Sequence, residues 1–268
     1  IQGVGNISLT SPIIQKEGYI TVTTAHELQV ALQNNQNVIL NNNIDLTGFN
    51  WATVDSYTGV LDGNGMAISN LTGINWATGG TYSAILDGNG MSISNLSGGS
   101  GLFNTLDGAT IKNLNLEDVA INATDTDTVI GALASNASGV TIFDVNVTGT
   151  VEGAKDIGGL FGSIVNGTIE NITLNLVLKG TGNVGGVAAA IVNSTVKNTV
   201  VRGEIIGDLT VGGIAGTITG SNIQLTQIEA EINNGTTTNR VDAGGIAGKL
   251  INSTVEVATI TGLISNTS

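Results

Sequence analysis

A glycine-rich pentad returns again and again along this chain, and that recurrence limits its possible folds more than any other feature. It reads Gly158-Gly159-Leu160-Phe161-Gly162, Gly185-Gly186-Val187-Ala188-Ala189, Gly212-Gly213-Ile214-Ala215-Gly216 and Gly244-Gly245-Ile246-Ala247-Gly248. Weaker copies stand at Ser100-Gly101-Leu102-Phe103-Asn104 and Ile130-Gly131-Ala132-Leu133-Ala134. Aligned on the second glycine, the copies fall at residues 101, 131, 159, 186, 213 and 245, giving spacings of 30, 28, 27, 27 and 32. A unit this short cannot bury an apolar face alone and must lie on its neighbours, so the chain is a stacked repeat array.

Composition decides what is stacked. Of 268 residues 39 are Gly and one is Pro, and only 3% are aromatic. The apolar residues are mostly Ile, Val, Leu and Ala set among Thr, Asn and Gly, which suits short strands joined by tight turns. Within a repeat, Ile169, Ile172, Leu174 and Leu176, then Val196 and Val200, read as inward positions between polar outward ones. A solenoid turn of two or three short strands uses about this many residues, and roughly eight turns at about 4.8 Å each make a rod of about 40 Å. The pentad glycines are expected at corners that need positive φ and close backbone approach. Asn-Ser-Thr and Asn-Gly-Thr corners at Asn166, Asn193 and Asn252 are placed to form amide ladders between turns.

The N-terminal part differs. Residues 1–23 form an extended lead-in without a pentad, a possible donor strand for another subunit. Thr24-Ala25-His26-Glu27 has the form of a capping box, and Leu28, Ala31 and Leu32 follow at helical spacing, so residues 24–37 read as a short helix capping the stack. The solenoid then runs over 38–268. Its first part, 38–100, carries Leu61-Asp62-Gly63-Asn64-Gly65-Met66 and, 25 residues later, Leu86-Asp87-Gly88-Asn89-Gly90-Met91, inside a duplication that also pairs Trp51 with Trp76. Its second part, 101–268, carries the pentads. The end beyond Thr261-Gly262-Leu263-Ile264 shows no capping signal.

These residues resemble the GLUG repeat family, and the Leu-Asp-Gly-Asn-Gly-Met segments resemble the unit that precedes GLUG repeats in bacterial and archaeal surface proteins. The likeness covers residues 24–262; Met66 and Met91 stand where that unit often has His. It implies an all-β fold, a right-handed parallel β-helix (β-solenoid), carried by secreted or surface-anchored proteins. Adhesins and the non-catalytic regions of IgA-protease-like metalloproteases are among them.

Charge and residue inventory narrow the function. Eight basic against 21 acidic residues give a net charge of −13, which opposes nucleic-acid binding, and no apolar run is long enough to span a bilayer. Without cysteine there is neither a disulfide nor a thiolate metal site. His26, the sole histidine, lies in the expected helix and has no HExxH around it. Clustered carboxylates are the remaining route to polysaccharide chemistry: Asp125 and Asp127 are close in sequence, and Asp156, Asp208 and Asp242 precede pentads, but not in one register. No catalytic, cofactor-binding or metal residue is assigned, and the chain is expected not to be an enzyme. Calcium is the one ion considered, because Asp62-Gly63-Asn64-Gly65 and its copy at Asp87 resemble fragments of a calcium loop, although turn formation accounts for them.

Twelve Asn-x-Ser/Thr sequons stand at Asn6, Asn70, Asn95, Asn122, Asn136, Asn146, Asn166, Asn171, Asn193, Asn234, Asn252 and Asn266. The expectation is a non-enzymatic extracellular structural or adhesive module of a microbial cell surface, with a cell-surface or matrix ligand as partner. The alternatives are a subunit stacking head to tail into a filament or sheath, and more remotely a polysaccharide-active enzyme. N-glycosylation predicts that native material exceeds the bare-chain mass of 27.0 kDa. An intact-mass spectrum at the bare value excludes it.

Overall fold

A computed structural model describes residues 16–52, 54–71, 77–124, 129–153, 155–235 and 242–265. Trp76, Asp125, Asp127, Asn6 and Asn266 lie outside them. The chain is a parallel β-solenoid: every strand pair is parallel, and the strands gather into sheets of 14, 5 and 7 members. The seven-strand face sets the number of full turns at seven rather than eight.

Each pentad turn repeats one path. A long strand such as Thr168–Gly180 is followed by a two- or three-residue strand such as Val184–Gly185, then by a five-residue strand such as Ala188–Val192. Corresponding side chains stack in columns. Ile111, Ile142, Ile169, Val196 and Ile223 form one, and Leu106, Ala137, Ile164, Ile191 and Ile218 another, nearly all of them without solvent contact. The column Phe103, Ala134, Phe161, Ala188 alternates large with small, so the rings interleave with methyl groups at constant backbone spacing. Nearer the N-terminus, Tyr57, Tyr82 and Phe103 stack instead, with centroids 5.7 and 4.4 Å apart.

Register corrects the sequence alignment at one repeat. Gly131 pairs with Gly158, and Ala134 with both Phe103 and Phe161, so Ala132 takes the second-glycine place. Of the two roles expected of the pentad glycines, close backbone approach holds and positive φ does not. Corner residues with positive φ are Gly108, Gly139, Asn166, Asn193, Gly220 and Asn252. The pentads instead sit where adjacent turns nearly touch: a Cβ on Gly159, Gly186 or Gly213 would lie 2.0, 2.0 and 2.2 Å from the carbonyl oxygen of the next turn's glycine.

The ladders are likewise redistributed. Asn166, Asn193 and Asn252 supply the left-handed corners, and the turn-to-turn bonds there are made by serine. Ser194 Oγ accepts the Gly167 amide at 2.9 Å, Ser221 Oγ the Ser194 amide at 3.0 Å, and Ser253 Oγ the Ser221 amide at 3.0 Å. Each hydroxyl donates to the carbonyl two residues before it. Asparagine ladders form at other bends. Asn171 donates to Asp144 at 3.0 Å and Asn198 to Asn171 at 2.6 Å, while Asn95 donates to Asn70 and Asn70 to Asp45. Asp144, Asn171 and Asn198 are left-handed, which shifts the in-out alternation by one residue. That is why Thr199, buried at 1% exposure, takes the inward place expected of Val200. Leu225 follows Asn198 in this bend with φ of +51°, also left-handed, and is half exposed.

The cap forms as expected over Ala25–Gln33 (α1), slightly shorter than 24–37. The Glu27 amide donates to Thr24 Oγ1 and the Thr24 amide to Glu27 Oε2, both at 3.2 Å. Leu28, Ala31 and Leu32 are buried, with Leu28 near Trp51 and Ile68 and Leu32 near Tyr57 and Leu61. Part of the lead-in is already used within the chain: Ile20–Val22 pairs in parallel with Val38–Leu40.

Three carboxyls are held below their ordinary values. Glu27 is held by the amide and hydroxyl of Thr23 and by Thr24, and Asp45 by Asn70 and Thr47. Partial burial pushes Asp87 up, but Lys112 and Asn113 outweigh it. A depressed carboxyl stabilises the fold above its unfolded value, here 4.5 or 3.8, and that contribution is lost as pH falls through the folded value. Thermal melting should therefore drop on acidification from about pH 7 to about pH 3, and Glu27→Gln should shrink the drop while lowering the melting point at neutral pH. In denaturant titrations Gly186→Ala should cost about 3 kcal/mol, and Leu225→Asn should gain about 1 kcal/mol by relieving a left-handed leucine and extending the ladder. Gly99→Ala, where the nearest atom is 4.0 Å from the new Cβ, should stay within about 0.5 kcal/mol.

Candidate functional site: a polar groove at one corner

The long strands all end at the same corner, and their last residues form a groove of about 660 Å³. Asn122, Glu152, Lys179, Ile206, Asn233 and Ser265 are register partners on successive turns and run along it as one column. Glycine makes the floor. Gly153, Gly180 and Gly235 line it; a Cβ on Gly153 would lie 2.9 Å from Ile130 Cδ1, and one on Gly180 would lie 2.7 Å from the Lys155 carbonyl. Thr181, Asp208 and Glu231 complete the polar lining.

The charged groups here behave differently from those on the rest of the long face. There, side chains pair along their columns: Lys112 with Asp87 at 2.8 Å, Lys197 with Glu170 at 3.2 Å and Arg202 with Glu229 at 2.6 Å. The side chains of Glu152, Lys179, Asp208 and Glu231 make no ion pair or hydrogen bond with another described residue. At the far end Asn233 is oriented by donating to Glu204 at 3.1 Å and by accepting from the Ser265 hydroxyl. The groove thus offers acceptors, a cationic donor, amides and hydroxyls, all facing solvent along the rod axis.

The other sequence candidates fall elsewhere. Asp156 and Asp242 share a column with Asn183 and Thr210 but are three turns apart, roughly 14 Å at strand spacing. Asp156 Oδ1 accepts the Asn183 amide at 2.7 Å, and Asp208 lies in the groove instead. In the Asp-Gly-Asn-Gly turns, Asp62 and Asp87 accept the Asn64 and Asn89 amides and face Lys16 and Lys112. Their oxygens serve the turn and the adjacent ammonium. Among the described residues no group of three or more acidic or histidine side chains is arranged to hold a metal ion. His26 is exposed on α1.

Of the sequons, Asn70, Asn95, Asn146 and Asn171 donate their side-chain amides to neighbouring turns. Asn122 lies in the groove. Asn136, Asn166, Asn193 and Asn252 are exposed, and their side-chain amides are bonded to no other described residue.

The groove itself was not singled out from sequence, yet a signal for it exists. From the end of the long strand to the next short strand takes four residues at 153–157, 180–184 and 207–211, but seven at 123–130 and nine at 234–243. All but one of the residues added to the 27-residue period therefore fall at this one corner, on either side of the short connections that floor the groove, the remaining one being taken up at the bulge between Leu116 and Val119.

The fold and this corner define a non-globular repeat module, a parallel β-solenoid. Residues 75–149 match the model of the M26 IgA1-specific metallo-endopeptidase N-terminal region. An immunoglobulin A1 protease of Streptococcus sanguinis is 48% identical over 60 residues, which is 22% of this chain and 3% of that protein. The chain therefore corresponds to a small part of that relative's length. Among solved structures, an immunoglobulin A1 protease candidate from Bacteroides ovatus superimposes with a TM-score of 0.61 at 16% identity, covering 90% of this chain and 76% of the other. A second, titled IgA1 protease, gives 0.55 at 21% identity, over 92% of this chain and 20% of the other. At these identities the two structures establish the fold. The sequence matches relate part of this chain, including residues 75–149, to IgA1 proteases, in agreement with the resemblance drawn from the repeats.

Proposed function

We propose that this chain is a non-enzymatic β-solenoid module of an extracellular microbial surface protein, a stiff spacer that also presents an adhesive face. The observation that carries this reading is the continuous parallel pairing of the long strands, broken only by the bulges at Lys112/Leu114 and Leu116/Val119. From Thr110–Ala123 to Asn222–Asn234 each is hydrogen-bonded along nearly its full length to the strand on either side, which makes a rod without hinges. The match to an N-terminal region of IgA1-specific endopeptidases supports the placement outside the catalytic part of a larger surface protein.

Head-to-tail stacking of copies is the less favoured arrangement, because α1 already fills the core at the N-terminal end with Leu28 and Leu32. If sequons are used, the acceptors this reading favours are Asn136, Asn166, Asn193 and Asn252, whose amides are outside the ladders. The chain should leave both IgA1 and soluble polysaccharides intact on prolonged incubation, as judged by gel electrophoresis and reducing-end release. Cleavage of either, lost on changing Asp208→Asn, overturns the non-enzymatic reading.

A further inference from the structure

We propose that the corner groove is a binding site for a linear, uncharged glycan lying along the rod axis. The inference rests on the adhesive reading above and names the chemistry of its ligand.

Four observations point to this class. The groove has the volume of a small-ligand site, about 660 Å³, but is drawn out across successive turns rather than closed into a pocket. Its lining mixes acceptors (Glu152, Asp208, Glu231), a donor (Lys179) and an oriented amide (Asn233), the set that matches hydroxyl groups able both to donate and to accept. Glu152, Lys179, Asp208 and Glu231 are unbonded to other described residues, whereas Lys197 and Arg202, further along the same face, are each paired with a glutamate. Finally, three carboxylates against one ammonium, in a chain of net charge −13, disfavour a polyanion.

A polypeptide ligand fits less well. The five long strands that end at this corner are paired on both sides, and the strand paired on one side only among the described residues, Ile264–Ser265, is two residues long, too short an edge to template an added strand; the glycine floor offers no apolar pockets for side chains. A glycan needs neither. Its repeating hydroxyls meet a new side chain at each turn, Glu152, then Lys179, and two turns later Asn233, while Ile206 between them supplies a short apolar stretch for a sugar face.

The test is titration calorimetry of the full chain with neutral hexasaccharides of the cello-, xylo-, manno- and chito-series, and with oligogalacturonate as the charged counterpart. Binding of at least one neutral series is expected, weakened about tenfold or more by Lys179→Gln and by Asp208→Asn. Lys197→Gln, on a paired column of the same face, should leave it unchanged. Each variant's melting curve should match the parent, so that loss of binding is not loss of fold. The proposal is overturned if no neutral series binds, if oligogalacturonate binds as well as the best of them, or if Lys179→Gln and Asp208→Asn bind like the parent. Reducing-end release in the same samples separates the two readings: binding with cleavage keeps the site and removes the non-enzymatic assignment. A rod that binds no glycan keeps that assignment and removes the site.

Discussion

Everything in this molecule depends on how closely one turn can lie on the next. Parallel strand spacing is fixed by backbone hydrogen bonds, so any position where the chain crosses toward its neighbour must give up its side chain. At Gly159, Gly186 and Gly213 the next turn's carbonyl oxygen already stands about where a Cβ would be. The pentad is the written form of that contact. Its third residue, Leu160, Val187 or Ile214, turns inward beside it and is completely buried, so one short motif sets both the spacing of the backbone and the filling of the core.

Stacking also converts weak local groups into continuous ones. A single exposed Asn or Ser adds little to a fold, but in a solenoid each occupies the same place on every turn and finds its partner above or below. Ser194, Ser221 and Ser253 each accept the amide of the turn before and return a bond to their own chain. At a bend where left-handed geometry is needed, Asn198 donates its side-chain amide to Asn171 and Asn171 to Asp144. Leu225 is where that column gives up both advantages, being left-handed without an amide to contribute.

The repeat, the strand content, the cap and its box were legible because each is a local pattern whose physics is complete within a few residues. What misled was anything decided between turns. Gly131 looked like a second glycine because the motif was aligned by letter, while pairing with Gly158 makes it a first. Val200 looked inward because strict alternation ignores the residue that Asn198 inserts into the phase. The Asn-Ser-Thr corners suggested an asparagine ladder, but once the asparagine is spent on a left-handed turn its neighbour serine is the one aimed at the next amide. The groove was least visible of all: Glu152, Lys179 and Asn233 belong to no motif, and only register sets them side by side.

The helix at the N-terminal end gives the rod a direction. With Leu28 and Leu32 packed into the first turn, that end is already assembled as a surface onto which the next turn can close. Each later turn pairs with a segment only about one repeat away in sequence, so the entropy of closing a loop is nearly the same for the last turn as for the first. Such a chain can grow by whole turns without becoming harder to fold. Length in such a rod is a quantity that duplication can adjust, one whole turn at a time.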